Sequence, residues 1–191
     1  AVSIAGKLSA DKAAKYYSEL CDAVKANGSD RLSDRKPTEN ARVIIALSSL
    51  GKNSADIAGH NLLSGLDDMD YITSQGINAV IFSLIAFDTT DYSAKTHDEL
   101  IAYIVDNMTG KGWALAGDTA DVDLTAMAIQ ALAPYAADEK VNAAIDSGLE
   151  FLAESLDENA RYANGSESTS QVLIALAALG IDPLTDLIFF F

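Results

Sequence analysis

Basic residues are scarce in this chain: 13 Lys and Arg face 28 Asp and Glu, for a formal net charge of −15. A surface with that balance lacks the electrostatic footprint of a nucleic-acid binder and is repelled by anionic lipid. Cysteine is nearly absent as well. Cys21 stands alone, which excludes an intrachain disulfide and a thiolate zinc site. Its helical spacing with Tyr17, Leu20 and Val24 predicts a buried core thiol. No apolar run approaches the ~18 residues that a membrane span needs, so no membrane insertion is expected. No signal peptide is visible, and the chain opens at Ala1 without a Met. A processed start or an excised domain would both give that beginning.

What is present is a core. Hydrophobic residues make up 49% of 191 residues and charged ones only 21%, so the acid does not belong to a disordered tail. Asp outnumbers Glu 20 to 8. Asp is a poor helix-interior residue and a good cap, so much of the charge should lie at helix ends and in loops.

Apolar periodicity reads as helix almost throughout, and no credible period-2 strand appears. The expected fold class is all-α. Ser9 can cap a first helix that runs to about Gly28. Further helices are expected over Thr38 to Leu50, Ser54 to Leu66 and Gly76 to Phe87. Thr96-His97-Asp98-Glu99 has the form of a capping box for a fifth, reaching about Met108. Asp121 or Asp123 begins a sixth, Asp138 a seventh that ends near Leu156, and Ser168 to Leu179 is an eighth. Odd and even helices differ in kind. The fifth (Leu100, Ile101, Ile104, Val105, Met108) and the seventh (Val141, Ala144, Ile145, Leu149, Leu152) carry one apolar stripe. The even ones are apolar nearly all round, as in Val43 to Leu47, Val80 to Phe82, Met127 to Ile129 and Val172 to Leu179. One-sided helices cover a core and all-round helices fill it, which predicts two concentric layers.

The even helices are also copies of one another. Leu47, Leu84, Leu132 and Leu176 align, at spacings of 37, 48 and 44 residues. Leu50, Phe87, Tyr135 and Leu179 follow three residues later, and polar residues precede each apolar run: Glu39 and Asn40, Gln75 and Asn78, Asp121 and Asp123, Glu167 and Ser170. Periods near 40 residues mark stacked helical hairpins. The approximate repeats are 10–50, 54–88, 96–136 and 138–180, within a single expected domain of residues 1–191.

Gly110-Lys111-Gly112-Trp113 leads through Gly117 into Asp121-Val122-Asp123-Leu124-Thr125-Ala126-Met127-Ala128. This resembles the prenyltransferase and squalene-cyclase repeat, in which a Gly-x-Trp loop precedes an inner helix. Asn164 to Val172 and Asp68 to Asn78 resemble the same junction in neighbouring repeats. The similarity covers roughly residues 35 to 186 and is strongest to members from secreted or cell-surface bacterial proteins. It implies an α/α toroid. A ring of six hairpins at this period needs about 260 residues, whereas eight helices make four hairpins. An arc of a toroid is therefore expected, truncated or completed by something else, such as further domains of the same parent protein. Leu187-Ile188-Phe189-Phe190-Phe191 falls outside the resemblance.

The resemblance also places the N-terminal ends of inner helices on one rim of a central cavity. The candidate ligand-binding residues there are Asn78, Trp113, Asp121, Asp123, Thr125, Glu167 and Gln171. Their mixture of acids, amides and a hydroxyl above an apolar well fits a small molecule or a peptide. Cobalamin is one ligand suggested by similarity to the transcobalamin and intrinsic-factor carriers; no cofactor is otherwise implied. Class II terpenoid cyclases carry Asp-x-Asp-Asp-Thr-Ala, so that resemblance would make Asp123 a general acid and Asp121 its neighbour. Leu124 stands where those cyclases have a third Asp. A structural spacer is a third reading. His60 and His97 read as surface histidines, and Asp67-Asp68-Met69-Asp70 as solvated loop acid; no metal site is expected. Trp113 can also be read as a pin between hairpins.

Overall fold

Ser9 opens the first helix. Its backbone is extended (φ −68°, ψ 149°) and its hydroxyl accepts the Lys12 N–H. Helix α1 (Ala10–Asn27) stops at Gly28, which takes φ 67° and returns its N–H to the Val24 carbonyl. In this computed structural model the described residues are 8–159, 161–163 and 165–182. Asn164 and the segment 183–191, with its Phe triplet, lie outside them. After α1 come α2 (Pro37–Ser49), α3 (Leu62–Leu66), α4 (Met69–Thr73), α5 (Ile77–Asp88) and α6 (His97–Asp106). Then follow α7 (Val122–Leu132), a 3-10 turn (Ala133–Tyr135), α8 (Glu139–Glu154) and α9 (Ser166–Ala178). Among the described residues there is no strand, only isolated bridges at Ile57–His60 and Thr109–Gly112. The fold is all-α. It divides into two compact units, residues 1–100 and 101–191.

In the first unit α2 packs along α5, α2 also meets the short helices α3 and α4, and α5 meets α4. Helix α5 is buried on nearly every side through Ile77, Val80, Ile81, Leu84 and Phe87, as an all-round apolar sequence requires. In helix α1 only Val24 is buried; Tyr17, Leu20 and Cys21 are half-buried, so Cys21 is not a core thiol. In the second unit α7 packs against both α9 and α8. Helix α8 buries the stripe Val141, Ala144, Ile145, Gly148 and Leu152. The aligned leucines Leu47, Leu84, Leu132 and Leu176 are all buried. Helices α2 and α9 end alike: Gly51 (φ 64°) and Gly180 (φ 72°) are left-handed. The next residue in each case, Lys52 or Ile181, returns its N–H to Leu47 or Leu176 at 2.9 Å.

The expected helix from Ser54 to Leu66 is only half there. Ala58 and Gly59 are both left-handed (φ 53° and 86°), and Ile57 and His60 exchange backbone hydrogen bonds of 2.9 and 3.0 Å. This tight turn uses up 54–61, and the Asn61 carboxamide then caps α3 through the Leu63 and Ser64 N–H groups. Its partner is the loop 30–32. Asp30 accepts from Asn61 N–H at 3.0 Å and lies 3.2 Å from His60 Nδ1. Arg31 donates to the Gly65 carbonyl and to Asp68, and its guanidinium lies 4.1 Å from the Tyr71 ring centre. A Cβ at Gly65 would stand 2.2 Å from the Asp30 carbonyl oxygen, so only glycine admits this close approach.

Asp67 is the acid on which the connection between α5 and α6 closes. It is buried, which corrects its reading as solvated loop acid. Its carboxylate accepts from the Thr96 hydroxyl (2.8 Å), Lys95 N–H (2.9 Å), Thr96 N–H (3.0 Å) and Tyr92 hydroxyl (3.2 Å). Burial alone would raise its pKa. The four donors outweigh that and hold it below the ordinary carboxylate value. A folded-state pKa below the unfolded one contributes stability above about pH 4, lost as pH falls through the depressed value. Urea unfolding of Asp67→Asn should therefore give lower stability than the parent at pH 7 and a smaller further loss on acidification to pH 3. Parallel pH dependences for the two proteins would show that Asp67 carries no such linkage.

Candidate functional site

The Gly-x-Trp loop is bound to the start of α7 through Trp113. Its backbone N–H donates to the Thr125 hydroxyl at 3.0 Å, and its carbonyl accepts the Asp121 N–H at 2.8 Å. The indole N–H donates to the Ile104 carbonyl at 2.7 Å. All of its polar groups are thus taken, and the ring is fully buried. Gly148 makes room for it: a Cβ there would sit 3.0 Å from both Trp113 and Ile129. At Gly112 a Cβ would fall 2.5 Å from the Thr125 hydroxyl, so the glycine of the motif lets the loop reach α7. Trp113 and Thr125 pin the loop, and the polar groups of Trp113 are all spent on the protein itself.

The remaining predicted residues occupy helix starts. Asp121 is the N-cap of α7, extended (φ −114°, ψ 137°), with its carboxylate accepting the Leu124 N–H at 2.8 Å. Asp123 lies in the first turn of α7, half-buried, and its Oδ1 is buried without a hydrogen-bond partner. In α9, Glu167 is exposed and Gln171 half-buried. Asn78, in the first turn of α5 within the first unit, is half-buried. The second unit therefore holds Trp113, Asp121, Asp123, Thr125, Glu167 and Gln171, the last two on a helix packed against α7.

The repeat makes the loose end at Asp123 informative. Nine residues before the aligned leucines stand Thr38, Gln75, Asp123 and Glu167. In the first unit the two equivalents close on each other: the Thr38 hydroxyl and N–H donate to the Gln75 carbonyl oxygen at 3.0 and 3.3 Å. In the second unit the corresponding pair is two carboxylates, which cannot bond to one another while ionised. Ser168, next to Glu167 and fully buried, also leaves its hydroxyl without a partner. Sequence reading overlooked Ser168, because a serine in a helix's first turn signals an exposed cap far more often than a buried hydroxyl.

Other features take no part in this rim. His60 pairs with Asp30, and His97 Nε2 lies 3.1 Å from Asp88. Both readings as plain surface histidines missed these carboxylate partners. Lys111 bridges Glu150 and Glu154 of α8, whose hydrogen bonds raise its pKa. Tyr162, before α9, is buried, and desolvation pushes its hydroxyl up to about 12. A cavity of about 580 Å³ opens at the C-terminal ends of α2 and α5, beside Ser48, Lys52, Ser54, Thr89 and Tyr92. It contains none of the predicted residues. Among the described residues no cluster of His, Cys, Asp or Glu is arranged to hold a metal, and no helix is long and apolar enough to cross a membrane.

Compared with family models, curated proteins and solved structures, the chain matches none.

Thr125→Val keeps the side-chain shape and removes the acceptor of the buried Trp113 N–H. It should cost about 1–3 kcal/mol in denaturant unfolding, because the N–H then stays buried and unpaired. Trp113, the sole tryptophan, reports the transition by fluorescence. Thr125→Ser should recover most of the loss; equal loss in both variants would assign the effect to packing.

Proposed function

We propose that the chain is a non-catalytic binding or interaction domain that holds a small molecule or peptide on the inner-helix rim of its second unit. The observation that carries this reading is Asp123. Its buried oxygen lacks a partner at the position where the first unit spends Thr38 on Gln75. A buried acceptor left unsatisfied costs free energy in the empty protein, and a ligand that donates a hydrogen bond recovers it. An amine or hydroxyl is the complementary group, since Asp121, Asp123 and Glu167 give the rim negative charge against the positive ends of two helices.

The same observation speaks against a spacer, which gains nothing by leaving a buried carboxylate oxygen unpaired. Against a cyclase stand Asp121, spent as a helix cap, and Leu124, buried where a third acid would stand. The α/α toroid arc is part of the proposal. It is supported by the two inner-helix pairs and by the matching ends of α2 and α9. Placement in a secreted or surface-attached bacterial protein rests on the family resemblance alone, as does cobalamin as a ligand.

Thermal unfolding with cobalamin, a polyprenyl diphosphate or lysine-bearing peptides tests the reading, since a ligand of the native state raises its apparent stability. One of these classes should raise the melting temperature in proportion to the logarithm of its concentration. Asp123→Asn should abolish that rise, because it removes the carboxylate charge that a bound amine or hydroxyl donor recognises. No shift with any of the three would contradict the proposal. Turnover of the polyprenyl substrate that vanishes in Asp123→Asn would replace it with the cyclase.

A further inference from the structure

We propose that the cavity of the first unit, at the C-terminal ends of α2 and α5, binds a neutral polyhydroxylated molecule, with the chemistry of a sugar or polyol. This site lies in a different unit from the rim of α7 and α9 and stands without it. At about 580 Å³ it has the size of a small-molecule site. Ser54, one of its lining residues, is 2% exposed, and its hydroxyl has no hydrogen-bond partner among the described residues. A buried hydroxyl left unpaired costs free energy that a bound polar group recovers. The wall around it is already held in place. Tyr92 stacks on Phe87 with ring centres 5.8 Å apart and donates its hydroxyl to Asp67. Ser48 donates to the Thr89 carbonyl and ties the two helix ends together. Leu63, also buried, adds an apolar surface.

The hydrogen bonds already made along this wall select the ligand. The Ser48 and Thr89 hydroxyls give their protons to backbone carbonyls, so they have only acceptor capacity left. The Asp91 carboxylate is an acceptor too, whereas Lys52 only donates and Ser54 can do both. A ligand hydroxyl donates and accepts through one oxygen, and so meets either kind. An anion would face Asp91 and the negative ends of two helices. Its one cation, Lys52, is already engaged, with Nζ 4.8 Å from the Tyr17 ring centre. An ammonium would face Lys52. A zwitterion could pair with both charges, but Lys52 and Asp91 are exposed, where ion pairing contributes little beside a hydrogen bond to the buried Ser54.

Amide-resolved NMR titration of the full chain with glucose, maltose and xylitol tests the assignment, with glycine and inorganic phosphate as charged counterparts. At least one of the three neutral probes should move the amides of Lys52, Ser54, Thr90 and Tyr92 in a saturable way. A response to the ring sugars or to open-chain xylitol supports the proposal equally and tells which of the two fits. Ser54→Ala should weaken that binding about five- to tenfold, the worth of one hydrogen bond, without lowering the melting temperature, because the hydroxyl has no protein partner to lose. Lys52→Gln should change the affinity by less than about threefold, as expected of an exposed charge. No saturable shift at these amides with any neutral probe overturns the proposal. So does equal affinity in the parent and in Ser54→Ala. Binding of glycine or phosphate that is lost in Lys52→Gln, with no neutral probe bound, overturns it in favour of a charged ligand. Shifts confined to Asp123 and Glu167 overturn it as well, by assigning the probe to the rim of the second unit.

Discussion

Each unit depends on one polar side chain that receives an incoming loop one turn into an inner helix. Seven residues before the aligned leucines stand Asn40 and Thr125. Asn40 accepts the Leu32 N–H at 2.8 Å and donates to the Asp30 and Leu62 carbonyls at 2.7 and 3.0 Å. Thr125 accepts the Trp113 N–H at 3.0 Å. Both side chains are buried, and the Trp113 N–H, buried as well, would otherwise be left without an acceptor. The Leu32 and Trp113 loops are irregular chain brought against apolar helices, and regular hydrogen bonding cannot serve them. A short polar side chain rooted in the helix solves that problem in both units, with an amide in one and a hydroxyl in the other.

The rim chemistry follows from where those ties lie. The same first turns that bind the loops present Thr38 in α2 and Asp123 in α7, two residues earlier. In the first unit the nearby Gln75 completes the hydrogen bonds and leaves a closed, structural rim. The aligned positions of the second unit hold Asp123 and Glu167, two carboxylates that cannot form the bond a hydroxyl and an amide form. At the aligned positions the first unit thus has a closed Thr38–Gln75 pair, and the second has an Asp123 oxygen without a partner.

Most of the helical plan was legible, because apolar period and caps are local. Ser9 and Asp138 cap the helices they were expected to cap, and Asp121 is the cap of the two acids offered for α7. The α8 stripe is buried at Val141, Ala144, Ile145 and Leu152 but only half-buried at Leu149. The leucine alignment found the four buried inner positions from spacing alone. The turn at 54–61 escaped, because its apolar spacing imitates a helix while Ala58 and Gly59 adopt left-handed backbone that periodicity does not register. Asp67, Asp30 and Arg31 escaped for another reason. Their partners lie some 30 residues away in the chain, and a run such as Asp67-Asp68-Met69-Asp70 looks the same whether water or four donors surround its first member. At the candidate site, Asp123 and Thr125 were found by motif, but their difference was not. Thr125 accepts the Trp113 N–H while a buried oxygen of Asp123 has no partner, and only packing separates the two.

Native-state hydrogen exchange of the Leu32 and Trp113 amides tests the central claim most directly. Held by buried side chains of the inner helices, both should exchange as slowly as amides in the middle of α2 and α7, and should open only with their units. Exchange of either amide at the rate of the exposed loop around Gly117, while the helix amides stay protected, would show that the tie is not what holds that loop in place.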